Sequence, residues 1–387
     1  MTPSTIQIAR VLALCSTIGT ASLALAEIRT ENGLHFEDGH FLPSGEGVVT
    51  TTLPDQYYTK VFALDESGSV LQEWEFTDII GHVVRAFGDR RGRLSRFLLS
   101  GRTTAGGEPE SRVYRLANGK PELVWDTAIF GQEYDGADFS VSAEGEMWAV
   151  SWCFPDRGRV VVGEIGSYGA SAEWLIESDD FDNHRPLDPE NEGVVFLQSE
   201  IDSIELIAQC EGRLAFLKNG EEPRQIHLPD DVSDLGGLSY QPDTGLLWGN
   251  RGYPDGWLGL RIEDHRKQPN KELKPIRING VELGIGPIQE LRDFLPGGRL
   301  VARVQRDGED TIYYLKVTAA RVTARLVRKV PRGVHSIQGG FYLEPTGYAL
   351  DGIQITSFRV GRLERSPNSL ELSWDFDEDG RPSTTGC

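Results

Sequence analysis

The chain is poor in sulfur and in positive charge. Only four of its 387 residues are cysteine and two are methionine. Lys and Arg number 39 against 59 Asp and Glu, giving a formal net charge of −20. Such a charge repels phosphates, so nucleic acid is excluded as a general partner. The cysteines show no CxxC spacing, which excludes a zinc cluster and a haem attachment site. No GxSxG elbow and no phosphate-binding glycine loop is present. No apolar run approaches the ~20 residues of a spanning helix, so no membrane span is expected. Helical periodicity is almost absent. What is abundant is glycine, at 44 residues, and aromatic side chains, with 8 Trp, 11 Tyr and 16 Phe. Aromatics in that number exclude a disordered chain.

Residues 1–26 read as a secretory signal peptide, with Arg10, a short apolar run from Val11 and a small-x-small site at Ala24-Leu25-Ala26. The expected product starts at Glu27 and is periplasmic or secreted. In an oxidising compartment Cys153 and Cys210 are candidates for a disulfide.

The rest of the chain repeats. Strand-rich hairpins end at Phe76, Thr127, Ile176, Leu228, Ile278, Val330 and Phe376, spaced by about 50 residues. Examples are 60–64 with 74–76, and 159–163 with 174–176. A second hairpin lies upstream in most units, at turns near Gly45, Gly92, Gly145, Gly245, Gly298 and Gly347. Tight hairpin turns need positive φ, which glycine supplies. Residues 138–142 alternate polar and apolar, as a half-buried strand does, whereas 147–150 are continuously apolar, as a strand covered on both faces would be. Four strands per unit and seven units in series predict an all-β, seven-bladed β-propeller of four-stranded antiparallel blades. Six blades plus a cap is the alternative. The propeller is expected over 27–378, followed by an acidic, polar tail at 379–387.

The phrase over 136–150, a strand, an acidic-Gly turn and a second strand, resembles gluconolactonase-like and streptogramin-lyase-like propellers. The phrase over 236–248 is similar to one in esterase-like phytase domains. The resemblance covers two blades and implies propeller architecture. It carries no catalytic residue across, since the metal ligands of those families are not recognisable here.

In a propeller, the loops entering each innermost strand and the loops between second and third strands open on one face. The first set holds His35, His82, Arg85 and His335, with the carboxylates Glu133 and Asp135 nearby. If His335, His35 and His82 converge, they form a general base or a site for one transition metal. The second set holds Arg157, Arg251 and Arg306 with Trp152 and Tyr253. Arg forks pair with anions, and flat aromatics stack on sugars. A small anionic ligand, an acidic glycan or a protein partner is therefore expected on this face. The enzyme alternative is a lyase, lactonase or hydrolase acting there on an acidic sugar-derived substrate. Asp375, Asp377 and Asp379, with Gly380, match the opening of a weak calcium loop.

Overall fold

The computed structural model describes residues 27–29, 35–53, 58–103, 109–128, 130, 138–154, 157–177, 193–200, 203–210, 213–229, 235–250, 256–295, 299–306, 309–318, 321–330, 337–338, 341–348, 355–362, 371–376 and 380–383. The signal segment, His335, Arg251, Tyr253, Asp377 and Asp379 lie outside the described residues.

Seven antiparallel sheets are present among the described residues. A short strand, β1 (Glu27–Arg29), precedes the first of them. Sheet one is β2 (His35–Phe41), β3 (Gly47–Leu53), β4 (Tyr58–Leu64) and β5 (Val70–Phe76). Sheet two is β6 (Ile79–Gly88), β7 (Leu94–Thr103), β8 (Pro109–Ala117) and β9 (Lys120–Asp126). Sheet three is β10 (Asp138–Val141), β11 (Met147–Phe154), β12 (Arg157–Glu164) and β13 (Ala170–Glu177). Sheet four is β14 (Gly193–Glu200), β15 (Ser203–Cys210), β16 (Arg213–Lys218) and β17 (Arg224–Ile226). Sheet five is β18 (Gly236–Gln241), β19 (Leu246–Asn250), β20 (Trp257–Arg261) and β21 (Ile276–Ile278), with a one-turn helix α1 (Ile262–Lys267) between its last two strands. Sheet six opens with β22 (Ile288–Leu295), β23 (Arg299–Arg306), β24 (Glu309–Val317) and β25 (Arg321–Val330). Sheet seven contains β26 (Ile337–Gln338), β27 (Phe341–Tyr348) and β28 (Ile355–Arg362). Two strands follow, β29 (Glu371–Phe376) and β30 (Pro382–Ser383).

Sheets one to five are local up-and-down meanders because their turns are built for hairpins. Gly45, Gly92, Gly145 and Gly245 all have positive φ, between 65° and 101°. At Gly145 the turn also presses on the preceding sheet, since a Cβ there would lie 2.6 Å from the Phe87 ring.

The core lies between the sheets. On β11, Met147 and Ala149 face sheet four, whereas Trp148 and Val150 face sheet two. This is the doubly covered strand that the apolar run predicted. The period of two sends alternate residues into opposite layers. The same division holds on β15, where Leu206 and Ala208 meet sheet three and Ile207 meets sheet five. Further apolar layers join sheets one and two and sheets five and six. Phe358 and Val360 of sheet seven pack on Phe41, Val49, Phe62 and Leu64 of sheet one. β26 also touches β22 of sheet six. Each fully buried aliphatic or aromatic side chain contributes roughly 1.5–3 kcal/mol. Sheets that could not stand alone are therefore held by their neighbours. The architecture is a β-propeller.

The seventh unit differs from the sequence expectation. The strand ending at Phe376 was expected to complete it. Instead β29 pairs with β25, with Trp374 opposite Val322, and becomes the fifth strand of sheet six. β30 adds a sixth. The outer strand of sheet seven comes from the start of the chain, as Ile28 of β1 pairs with Phe358 of β28. Gly347 also forms no turn. It lies within β27, at a register shift opposite Ser357.

Candidate functional site along the channel

The innermost strands, β2, β6, β10, β14, β18, β22 and β26, line the propeller axis. Several carry a β-bulge near their entry. In β2 the pairing jumps from Phe36 to Asp38, which leaves Glu37 as the extra residue. In β6 it jumps from Gly81 to Val83 and leaves out His82. In β22 it jumps from Ile288 to Glu290 and leaves out Gln289. A bulge re-aims one side chain and frees backbone donors.

In β6 the freed donors are satisfied by sheet one. The Gly81 N–H donates to Thr59 Oγ1 at 2.7 Å, and that hydroxyl donates to the Ile79 carbonyl, also at 2.7 Å. The Val84 N–H donates to Asp38 Oδ2 at 3.0 Å. Backbone groups on both sides of His82 are thus tied to sheet one. The two bulge residues then meet, with His82 Nδ1 3.4 Å from Glu37 Oε2. Glu37 Oε1 accepts a 2.6 Å hydrogen bond from Thr52 Oγ1. A carboxylate that orients one imidazole nitrogen while the ring stays solvent-facing is a serviceable acid–base pair.

Sequence reasoning placed His82 on the channel wall but missed Glu37. Register along the repeat pointed to His35 as its counterpart, but the residue re-aimed by the bulge in β2 is Glu37, two positions later. His35 begins β2 opposite Thr52, and its side chain lies outside the described set.

A cavity of about 760 Å³ lies further along the channel. Its lining includes His40 of β2, Arg85 of β6, Ser199 and Glu200 of β14, and Tyr240 of β18, together with Glu144 of the β10–β11 turn. The half-buried Phe196 and Phe139 supply apolar wall. The turns between first and second strands surround it. This is the end of the channel opposite the loop face that the sequence singled out.

The remaining sequence candidates fall as follows. Arg85 faces the cavity. Arg157 and Arg306 end strands beside the second-to-third-strand loops of sheets three and six, and their side chains lie outside the described set. Trp152 is a correction. It is buried, meets the Phe130 ring edge-on at 5.5 Å and has the Arg159 guanidinium 5.5 Å from its own ring. It packs between sheets and offers no face to a ligand. Asp375 is ion-paired to Arg321 at 2.7 Å across the β25–β29 pair. Among the described residues no three His, Cys, Asp or Glu side chains group as a metal site. Cys153 and Cys210 lie at the same end of the second strands of neighbouring sheets, β11 and β15, with side chains outside the described set.

No protein-family model and no curated protein sequence matches the chain. Solved structures resemble it in architecture. One is the β-propeller domain of Cps50 (Swd1) from Myceliophteria thermophila, at 12% identity and TM-score 0.49, covering 87% of this chain and 99% of that one. Another is the β-propeller domain of the Trilobed protease from Pyrococcus furiosus, at 7% identity and TM-score 0.47, covering 87% and 97%. A third is a putative 6-phosphogluconolactonase from Bacteroides uniformis ATCC 8492, at 12% identity and TM-score 0.43, covering 71% and 78%. Likenesses at this level carry nothing about activity.

Proposed function

We propose that the chain is an exported binding propeller, its seven sheets closing as seven blades of one ring, which takes a small anionic ligand into the channel. The observation that carries this reading is the 760 Å³ cavity with Arg85 and His40 on its wall. Its volume falls within the roughly 300–1,000 Å³ usual for small-molecule sites. On a protein of charge −20, a guanidinium in a concave wall concentrates positive potential where an anion can use it. Export rests on the signal-like residues 1–26, and cleavage after Ala26 would place β1 at the start of the mature chain.

A ligand that binds only the folded state at a hundred times its dissociation constant adds about 2.7 kcal/mol of stability. Thermal unfolding of the mature chain against a panel of carboxylates and sugar acids is therefore expected to find compounds that raise Tm. Arg85→Gln is expected to lose most of that rise. No stabilising anion, or stabilisation unchanged in Arg85→Gln, would sink the reading.

The Glu37–His82 contact favours a second reading, an enzyme in which His82 is the general base. Turnover of lactones or glycosidic substrates is then expected to fall at least about 100-fold in His82→Gln. Glu37→Gln is expected to move the pH profile. Activity untouched in both variants would remove this reading.

A further inference from the structure

We propose that the ligand of the channel cavity is a zwitterion, of the class of free amino acids and short peptides with unblocked ends. This rests on the reading of the cavity as an anion site and adds a second charge to it.

The cavity wall is divided by charge. Sheets one and two contribute His40 and Arg85, whereas sheets three and four contribute Glu144 and Glu200. A hydrogen bond across the sheet boundary, from Ser199 Oγ to Glu144 Oε2 at 2.8 Å, ties the β10–β11 turn to the end of β14, where Glu200 lies. That bond also holds the Glu144 carboxylate in place. Among the described residues neither Glu144 nor Glu200 has an ion-pair partner. On a chain with an excess of acid, two carboxylates without a cation leave that side of the cavity negative. An ammonium group is the ligand part that offsets this. The anion of the same ligand then falls to the Arg85 side, where a guanidinium fork suits a carboxylate. Phe196 and Phe139, both half-buried, lie among these groups and suit an apolar side chain. A ligand with both charges and an apolar body uses every part of the wall. A simple anion uses half of it and brings its charge toward Glu144 and Glu200.

The test is calorimetric titration of the full mature chain with three probes, namely alanyl-alanine, its N-acetyl derivative and its C-terminal amide. The first has both charges, the second only the anion, the third only the cation. Alanyl-alanine is expected to bind at least about tenfold more tightly than either blocked form. In the Glu144→Gln/Glu200→Gln double variant, whose changes are in exposed side chains, that advantage over the N-acetyl form is expected to vanish. Affinity for the N-acetyl form is expected to persist or rise there. If the N-acetyl form binds wild type as tightly as the free dipeptide, the zwitterion proposal is overturned and the anion reading stands. If none of the three binds in a manner sensitive to Arg85→Gln, both are overturned.

Discussion

Trp125→Ala is expected to cost about 4 kcal/mol of stability, in the range for removing a buried large aromatic. Trp125 is on β9, the outer strand of sheet two, and is fully buried. Its indole lies almost parallel to Phe139 of sheet three, at 5.3 Å and 10°, and stacks on Trp148 at 5.3 Å and 24°. Deleting it empties the layer between two sheets rather than the surface of one. The corresponding Trp74 and Trp174 donate their indole N–H to backbone carbonyls of the next sheet, Gly119 at 3.1 Å and Lys218 at 3.2 Å. Trp125 Nε1 finds no such acceptor among the described residues. Trp125→Phe therefore keeps the stacking surface and removes an unsatisfied donor, and is expected to cost only about 1 kcal/mol. Urea unfolding of both variants checks this. Equal losses would show that the contacts of the ring system do not set the effect.

The second large effect is on pH dependence. His265 of α1 is fully buried between sheets four and five, 5.5 Å from the Phe216 ring, and neither ring nitrogen has a hydrogen-bond partner among the described residues. Burial first, then the positive charge of Arg224 and the neighbouring His227, lowers its pKa from 6.5 to about 4. The unfolded chain thus takes up the proton more readily than the folded one. The stability this neutral imidazole supports is complete above pH 6.5, declines as pH falls and is lost below about 4. The total at stake is about 3 kcal/mol. His265→Leu removes the titration and keeps similar volume. Its stability between pH 7 and 4 is expected to fall less than that of wild type by about that amount. Parallel pH profiles for the two proteins would contradict the assignment.

The architecture was legible because its causes are local. Glycine at hairpin turns, alternation along β10 and the apolar run on β11 each act within a few residues. Their spacing repeats because the sheets repeat. What was not legible depends on partners remote in sequence or on single-residue irregularity. Trp374 was read with the strand it follows, but it pairs with Val322, some fifty residues earlier. The outer strand of sheet seven lies at the opposite end of the chain, and no periodicity announces it. Glu37 escaped because composition does not announce where a bulge falls, and the bulge decides which side chain is re-aimed. Trp152 was misread because a rim aromatic and an inter-sheet aromatic are the same residue type. The cavity joins residues from five sheets, and only Arg85 among its charged lining stood out beforehand.

The most direct test of the account is a crystal structure of the mature chain with alanyl-alanine bound. The dipeptide is expected in the channel, with its carboxylate against Arg85 and its ammonium on the side of Glu144 and Glu200. A dipeptide seated on the opposite loop face or on an outer strand, with the channel cavity holding only water, would contradict it.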